Sequence, residues 1–241
     1  MKKAIGILGG MGPEASVYML DLLISLSAKE FGAINGDEFP EVLLNSVPVP
    51  DFISSDNNKD KALKMLKKSV KRYNKKDTLC LSIACNTAHV LIPQLQKETS
   101  IPFISMVQGV SEEVLRMRLK KVGLLSTPGT LRSRLYHDQL ESKGVVILTP
   151  SPQEMALTEG VIRNVIAGKK SKKDTAVLKK IGIALKKRGA EGIILGCTET
   201  PLAFPDKFPL PVFNSVEILC RSLLNAYYGN YQKSIKKVGE I

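Results

Sequence analysis

The residues best suited to chemistry are two cysteines, each placed where an apolar run ends in small polar residues. Cys85 follows Leu-Cys-Leu-Ser-Ile-Ala and precedes Asn-Thr-Ala-His, whereas Cys197 follows Gly-Ile-Ile-Leu-Gly and precedes Thr-Glu-Thr-Pro. This pattern is typical of a buried strand that delivers a side chain to a loop opening a helix. Two such thiols, one in each half of the chain, could face one substrate from opposite sides as acid and base. That arrangement would invert a carbon centre, so we expect the functional site at this pair.

The residues that follow Cys85 could tune its thiol and hold an anion. At a helix N-terminus, Cys85 would feel the positive end of the helix dipole, which lowers the pKa of a thiol and favours the thiolate. Asn86 and Thr87 would offer hydrogen-bond donors suited to a carboxylate. His89 lies one turn into the predicted helix and could orient the thiol, or it could be a capping or buried histidine.

The residues that follow Cys197 repeat this pattern with an acidic group. Glu199 could hold a substrate ammonium group or tune the pKa of Cys197; the alternative is a first-turn glutamate at a helix N-terminus. Cys85, His89 and Cys197 are also competent zinc ligands. Structural zinc sites favour paired Cys-x-x-Cys motifs, however, and the sequence contains none. We therefore predict no metal.

Two further turns could contribute donors to the same site. Residues 9–16, Gly-Gly-Met-Gly-Pro-Glu-Ala-Ser, form a glycine-rich turn between a predicted strand and a predicted helix. The turn matches neither the dinucleotide-binding fingerprint nor the P-loop; its backbone could hold a carboxylate, or it could be only a tight turn. Residues 126–130, Ser-Thr-Pro-Gly-Thr, could add hydroxyl and backbone donors, and the same residues are a common helix start.

Composition indicates a globular protein with no membrane span. The chain has 241 residues, of which 44% are hydrophobic and 24% charged. No stretch is long and apolar enough to cross a bilayer, and we predict a cytoplasmic protein with free thiols. Cys80 and Cys220 fit core positions. The net charge of +12 comes mainly from lysines on predicted helix faces, and aromatic residues make up only 5% of the chain. We therefore expect no nucleic-acid partner.

Apolar runs alternate with amphipathic stretches, which favours an α/β fold with parallel sheets. The predicted strands are 4–8, 41–45, 78–84, 103–105, 121–125, 145–148, 192–195 and 212–213. The predicted helices are 15–28, 60–75, 89–98, 110–120, 130–143, 155–167, 174–188 and 215–228.

A weak internal repeat suggests two similar lobes. Residues 4–10 resemble residues 121–127, and each segment is followed at a similar distance by a cysteine loop. Two α/β lobes related by a pseudo-twofold axis would bring both cysteine loops to strand C-terminal ends, where ligands bind in open α/β sheets. We predict one lobe from residues 1–100 with 210–241, a second from 101–209, and a cleft between them.

With these motifs in hand, the chain resembles the aspartate/glutamate racemase family, and within it the aspartate-racemase branch most closely. The resemblance covers nearly the whole chain and rests on Gly-Gly-Met-Gly-Pro at 9–13, Cys-Asn-Thr-Ala-His at 85–89 and Gly-Cys-Thr-Glu at 196–199. Glutamate racemases proper typically open with Asp-Ser-Gly and carry His after Gly-Cys-Thr. This chain has Gly-Gly-Met and Glu199 at those places.

The resemblance implies racemisation of an acidic amino acid, aspartate above all, without a cofactor and in a cleft between two lobes. Cys85 and Cys197 would exchange the roles of base and acid with the substrate enantiomer. A homodimer is implied by analogy with the family. The substrate-binding residues expected on this basis are Gly10, Met11, Asn86, Thr87, Thr127, Thr198 and Glu199.

The chain departs from the family in two places that bear on the substrate. Members often carry Arg or Gln after the second strand, and residues 48–57 contain neither. A lysine is often found near the end of the helix that stops at Gly168, where this chain has Ile166 or a neighbour. Glutamate or broad-specificity racemisation is therefore the nearest competing function. An isomerase or decarboxylase that uses one cysteine, and a non-catalytic module that binds an anion or nucleic acid, are more distant ones.

Overall fold

The computed structural model describes residues 3–54 and 56–238, in which strands and helices alternate along the chain. Residues 1, 2, 55 and 239–241, which belong to the predicted first lobe, lie outside the described residues. The strands are β1 (Ala4–Gly9), β2 (Val42–Ser46), β3 (Thr78–Ile83), β4 (Lys121–Ser126), β5 (Val146–Leu148), β6 (Gly192–Gly196) and β7 (Val212–Asn214). The helices are α1 (Pro13–Phe31), α2 (Lys59–Val70), α3 (Ile92–Gln96), α4 (Met106–Arg116), α5 (Pro128–Arg132), α6 (Leu135–Leu140), α7 (Pro152–Ile166), α8 (Lys172–Lys187), α9 (Thr200–Ala203) and α10 (Ser215–Val238).

The strands form two parallel sheets, which confirms the predicted α/β fold. The first has the order β2-β1-β3 and the second the order β5-β4-β6-β7. β1 and β4 therefore hold equivalent interior places, and β3 and β6 are each hydrogen-bonded neighbours of that interior strand. Since β3 leads to Cys85 and β6 leads to Cys197, the two cysteine loops leave their sheets at equivalent strand ends.

Each sheet is buried on both faces, which explains why its central strands are continuous apolar runs. Every residue of β1 and β6 is buried. One face of the first sheet packs on α1 and α10, and the other packs on α2 and α3. One face of the second sheet packs on α7 and α8, and the other packs on α4 and α6. The helices cover the faces of the sheets and leave the strand C-terminal ends to the loops.

The C-terminal segment crosses from one sheet to the other. β7 pairs with β6 at the edge of the second sheet, whereas α10 packs against α1 in a core that includes Leu23 and Leu223. The crossing falls at Asn214 and Ser215, where β7 ends and α10 begins. The division into lobes at residues 100/101 and 209/210 stays a prediction.

The prediction of a strand at 103–105 is wrong. Phe103 makes a single parallel bridge to Leu81. Pro102 has no N–H to donate to a ladder, and Ser105 already caps α4 by accepting a hydrogen bond from the N–H of Gln108 at 3.3 Å. The capping residue therefore starts α4 at Met106, four residues before its predicted start.

The prediction of one continuous helix over 130–143 is also wrong. Arg134 adopts φ 52° and ψ 22°, a left-handed conformation that an α-helix interior does not contain. The segment is therefore split into α5, α6 and a single 3-10 turn at Glu141–Lys143. After this break, α6 packs in the core, where Tyr136 is fully buried.

Candidate active site

A cavity of about 160 Å³ lies at the strand C-terminal ends, and both cysteine loops line it. Drug-sized ligands occupy pockets of about 300–1,000 Å³, so this volume suits a molecule of amino-acid size. The residues predicted for the site that line the cavity are Gly10, Met11, Cys85, Asn86, Thr87, Thr127, Cys197 and Glu199. Cys80 and Cys220 are buried in the cores away from it, and all four thiols are free.

Cys85 lies between the end of β3 and a 3-10 turn at Thr87–Leu91. The thiol is buried, and burial raises its pKa to about 12. The negative charge of Glu199 acts in the same direction, whereas the backbone N–H groups of Ala88 and Thr87 oppose it. The expectation that the helix terminus would lower the pKa of this thiol is therefore wrong, because the desolvation of a buried thiolate outweighs the N–H groups of one short turn.

His89 is a structural residue of the Cys85 loop. Its Nε2 accepts a hydrogen bond from the N–H of Met106 at 3.0 Å, so its Nδ1 carries the proton and donates to the carbonyl of Cys85 at 2.8 Å. Burial lowers the pKa of His89 to about 4, which keeps the ring neutral. The ring therefore fixes the loop through its backbone and leaves the thiol without an imidazole partner.

Cys197 has a carboxyl partner. Its Sγ donates a hydrogen bond to Glu199 Oε2 at 3.0 Å, and the hydroxyl of Thr198 donates to the same oxygen at 2.9 Å. Burial, the charge of Glu199 and this hydrogen bond hold the pKa of Cys197 well above its ordinary value. Thr198 is buried but does not line the cavity. It supports Glu199 and, contrary to expectation, lies outside the cavity.

Glu199 itself is a buried carboxyl group with an unused oxygen. Burial raises its pKa, and the hydrogen bonds from Cys197 and Thr198 act against that rise. Oε1 has no hydrogen-bond partner in the part of the chain that the structure describes. Glu199 precedes α9 but makes no capping hydrogen bond to it, so the alternative of a simple helix-terminus glutamate is not what the structure shows.

The glycine-rich turn lies against the side chain of Glu199 and forms part of the cavity wall. Gly12 adopts φ 65°, and a Cβ at this position would collide with Glu199 Oε1. Gly10 adopts φ 89°, and a Cβ there would lie 2.5 Å from the backbone nitrogen of Val47. Only glycine combines this backbone conformation with so close an approach. The turn is therefore shaped by its neighbours, while Gly10 and Met11 still line the cavity as predicted.

Two hydrogen-bond networks join the halves of the cavity. Asn86 accepts from the Tyr136 hydroxyl at 2.5 Å and donates to Ser215 at 3.0 Å, and Ser215 in turn donates to the carbonyl of Leu195 at 2.7 Å. The Asn86 amide, predicted to contact substrate, thus joins β3's loop to β6 and α10. The hydroxyl groups of Thr87, Thr127 and Thr130 lie 2.8–3.1 Å from one another in a second network.

The expected site residues did not include residues 49–53 or Arg163, although residues 48–57 and the surroundings of Ile166 were singled out as departures from the family that bear on the substrate. Residues 49–53 line the cavity beside Arg163 and Ile166 of α7. The guanidinium of Arg163 lies 2.5 Å from Asp51 Oδ2 and 2.6 Å from Ser54 Oγ. The N–H of Gly129 also donates to the carbonyl of Ile53 at 2.7 Å. A sequence signal for Arg163 did exist, since it lies one helical turn before Ile166 and shares its helix face.

Two features are absent from the described residues, 3–54 and 56–238. These ranges contain no group of three or more His, Cys, Asp or Glu side chains that could hold a metal ion. No helix within them is long and apolar enough to cross a membrane.

The geometry defines a two-lobed α/β protein with a small cavity between two cysteine loops, and comparison with known proteins agrees. The Asp/Glu/Hydantoin racemase family model matches residues 8–223, so the chain belongs to this family. Its sequence is 25% identical over 224 residues to the broad specificity amino-acid racemase RacX of Bacillus subtilis, covering 92% of this chain and 97% of that protein.

Solved structures share the fold. An aspartate racemase homologue from Pyrococcus horikoshii has a TM-score of 0.77 at 29% identity, covering 95% of this chain and 100% of the other. The aspartate racemase of Picrophilus torridus has a TM-score of 0.80 at 24% identity, covering 93% and 94%. A glutamate racemase of Lactiplantibacillus plantarum is 30% identical over 131 residues, but these cover only 52% of this chain and 45% of that protein.

Proposed function

We propose that this chain racemises an amino acid without a cofactor, with Cys85 and Cys197 as the two acid–base groups. The observation that carries the proposal is that both thiols line one cavity of about 160 Å³ from equivalent strand ends of two similar sheets. Thiols that reach a substrate from opposite lobes can act on opposite faces of one α-carbon. The remaining cysteines, Cys80 and Cys220, are core residues and take no part.

In the proposed reaction, one cysteine acts as thiolate and removes the α-proton, and its electron pair stays on the substrate as a carbanion. The other cysteine, as thiol, then gives its proton to the opposite face of the same carbon. The first cysteine ends as thiol and the second as thiolate, so the reverse reaction uses them in exchanged roles. No oxidant, reductant or electron sink is needed.

Glu199 provides a route to a thiolate in a buried site. Burial raises the pKa of both Cys197 and Glu199 and disfavours two negative charges on the pair, which therefore holds at most one. Movement of a proton over the 3.0 Å between Cys197 Sγ and Glu199 Oε2 converts a thiol and a carboxylate into a thiolate and a carboxylic acid. The total charge of the site does not change in this step, which limits its desolvation cost.

The Cys85 loop and the threonine network supply donors for developing negative charge. The N–H groups of Thr87 and Ala88 point towards the Cys85 thiol. The hydroxyl groups of Thr87 and Thr127 lie together on the cavity wall. Fixed donors in a site that excludes water stabilise a carbanion and its carboxylate more than the same groups do in solution.

Aspartate is the substrate that the family resemblance implies and is the first to test. A broad range of amino acids is the second candidate, because Arg163 is the one cationic residue among the described residues that line the cavity, and it is paired with Asp51. The likeness to RacX over nearly the whole chain supports the same candidate. The cytoplasmic location and the homodimer stay predictions.

The experiment is a racemisation assay on L- and D-amino acids with purified protein and no added pyridoxal phosphate. We expect turnover by the wild type, loss in both Cys85→Ala and Cys197→Ala, and retention in Cys220→Ala, which removes a buried thiol outside the cavity. Turnover that survives either active-site substitution would contradict the two-thiol mechanism. Absence of turnover with every amino acid would overturn the racemase proposal and favour a binding role.

A further inference from the structure

The mouth of the cavity holds one cation between two carboxylates. Arg163 contacts Asp51 at 2.5 Å and Glu159 at 3.6 Å, and Ser54 hydrogen-bonds both Arg163 and Glu159. Asp51 is fixed in this position, because its other oxygen accepts a hydrogen bond from the N–H of Ile53 at 3.0 Å. The formal charge of Asp51, Glu159 and Arg163 together is −1.

This cluster is accessible to a substrate. Asp51 and Arg163 both line the cavity, and their side chains are 47% and 40% exposed. A substrate held with its α-carbon between the two thiols and a second carboxylate on its side chain needs a cation for that carboxylate. Within the described lining the only cation is Arg163, and the Asp51 carboxylate already occupies it.

We propose that Asp51 is a specificity-determining residue that discriminates against substrates with a second carboxylate. Asp51 takes the place on Arg163 that the side-chain carboxylate of aspartate or glutamate would otherwise take. An acidic substrate must displace Asp51 and then lie beside its charge, whereas a substrate with an uncharged side chain meets neither cost. This inference rests on the proposed racemase function and assigns the site a preference for uncharged side chains, which favours the broad-range candidate over aspartate.

The size of the preference is moderate, because ion pairs at half-exposed positions are weak. We expect the wild type to use asparagine in preference to aspartate, two substrates of nearly the same shape that differ by one charge. In Asp51→Asn the closer of the two carboxylates loses its charge, and Arg163 keeps only the longer contact to Glu159 at 3.6 Å. The ratio of kcat/KM for aspartate to that for asparagine should then rise about tenfold, as expected for one relieved like-charge contact.

The ratio separates specificity from other effects of the substitution. Asp51 also raises the pKa of Cys85, and Asp51 joins residues 49–53 to α7 through Arg163. Loss of either effect changes the activity on both substrates alike and cancels in the ratio. The double variant Asp51→Asn/Arg163→Gln should lose the gain, because its aspartate-specific part requires the guanidinium.

Two control variants separate the proposed role of Asp51 from a lost contact and from a change in net charge. Ser54→Ala removes another contact of Arg163 without changing a charge and should leave the aspartate-to-asparagine ratio unchanged. Asp138→Asn removes the acid of a similar exposed pair, Asp138 with Arg134 at 3.1 Å, whose residues do not line the cavity. It should also leave the ratio unchanged, which excludes an effect of net charge alone.

Binding of aspartate and asparagine, measured by calorimetry beside turnover, separates a failure of the Asp51 specificity role from a failure of the racemase function. A rise in relative aspartate affinity in Asp51→Asn without turnover on any amino acid would sustain the inference and reject the racemase function. Turnover with an unchanged ratio in Asp51→Asn would reject the inference and leave the function. A wild type that prefers aspartate to asparagine would also overturn it, as would failure of both amino acids to bind.

Discussion

The loops after β3 and β6 present their cysteines at equivalent strand ends, yet they surround the two thiols differently. Cys85 faces the N–H groups of Thr87 and Ala88, and its loop is fixed from behind by a neutral histidine. Cys197 donates a hydrogen bond to the buried carboxyl group of Glu199. The first loop thus offers partial positive charge to a thiolate, and the second offers a proton acceptor to a thiol.

The difference shows that two equivalent positions need not be equivalent acids. The repeated strand and turn deliver both sulfur atoms to one cavity, which is what action on opposite faces of a carbon requires. Their surroundings are then set by neighbours that the repeat does not share: His89 holds the backbone of the Cys85 loop, and Glu199 accepts the hydrogen bond of the Cys197 thiol. Removal of these neighbours one at a time, and of the thiols themselves, tests how far the two loops differ.

Removal of either thiol should have the largest effect. In Cys85→Ala or Cys197→Ala the substrate loses one of its two proton-transfer groups, and we expect kcat/KM for racemisation to fall by about 10³-fold or more. The double variant should be little worse than either single one, because the two groups act as a unit. A single variant that keeps more than about a tenth of wild-type racemisation would contradict the requirement for both thiols.

His89 should make the Cys85 loop sensitive to acid. Its pKa is about 4 in the folded protein against 6.5 as the ordinary value, so below pH 6.5 the unfolded chain takes up a proton that the folded chain refuses. The free energy of unfolding should therefore fall as the pH drops from 6.5 to 4, by roughly 3 kcal/mol for this group.

Urea unfolding of the wild type and His89→Gln at several pH values measures this effect. Glutamine can both donate and accept, as the neutral ring does, but it does not titrate. The slope between pH 6.5 and 4 should be shallower in the variant than in the wild type. Equal slopes would contradict a buried neutral histidine.

Glu199 should matter through its proton acceptance. In Glu199→Gln, Cys197 must lose its proton to solvent, and we expect kcat/KM at pH 7 to fall about 100-fold and to recover as the pH rises. Thr198→Val keeps the carboxyl group and removes one hydrogen bond to it, so its loss should be much smaller. An activity of Glu199→Gln that equals the wild type at pH 7 would mean that the carboxyl group does not exchange protons with Cys197.

Tyr136 should contribute to stability through the network behind Asn86. Tyr136→Phe leaves the buried amide oxygen of Asn86 without the hydrogen bond that the hydroxyl donates at 2.5 Å, which should cost about 1–2 kcal/mol in urea unfolding. Tyr18→Phe is the matched control, because its hydroxyl bonds Asn214 at a partly exposed site and should cost less. If the control loses as much stability as Tyr136→Phe, the buried network is not what holds the lobes.

The sheets, and the meeting of the two cysteine loops at one cavity, could be predicted because their signals are local. Each apolar run is buried on both faces of a sheet, and each ends in residues too small and polar to continue a strand. Glu199 could be named as a group that acts on Cys197 for the same reason, since it lies two residues away, whereas Thr87 was expected to meet a carboxylate rather than the Cys85 thiol. The pKa of Cys85 could not be predicted, because burial by distant residues outweighs the nearby N–H groups.

Long-range contacts account for the rest of what the sequence did not reveal. Asp51 and Arg163 are 112 positions apart and meet only because the segment after β2 reaches across to α7. Thr198 was expected at the substrate, but its side chain turns towards Glu199. Nothing in the residues next to Arg134 predicts its left-handed backbone. The break between α5 and α6 therefore depends on packing that composition does not encode.

The most direct test of the two-thiol account is α-proton exchange by NMR in D2O with each enantiomer and each single-cysteine variant. A thiolate left alone can remove a proton from one face and return deuterium to that face. Cys85→Ala should therefore exchange the α-proton of one enantiomer and Cys197→Ala that of the other, both without inversion, while the wild type exchanges with inversion. Exchange of the same enantiomer by both variants, or inversion by either, would contradict opposed thiols.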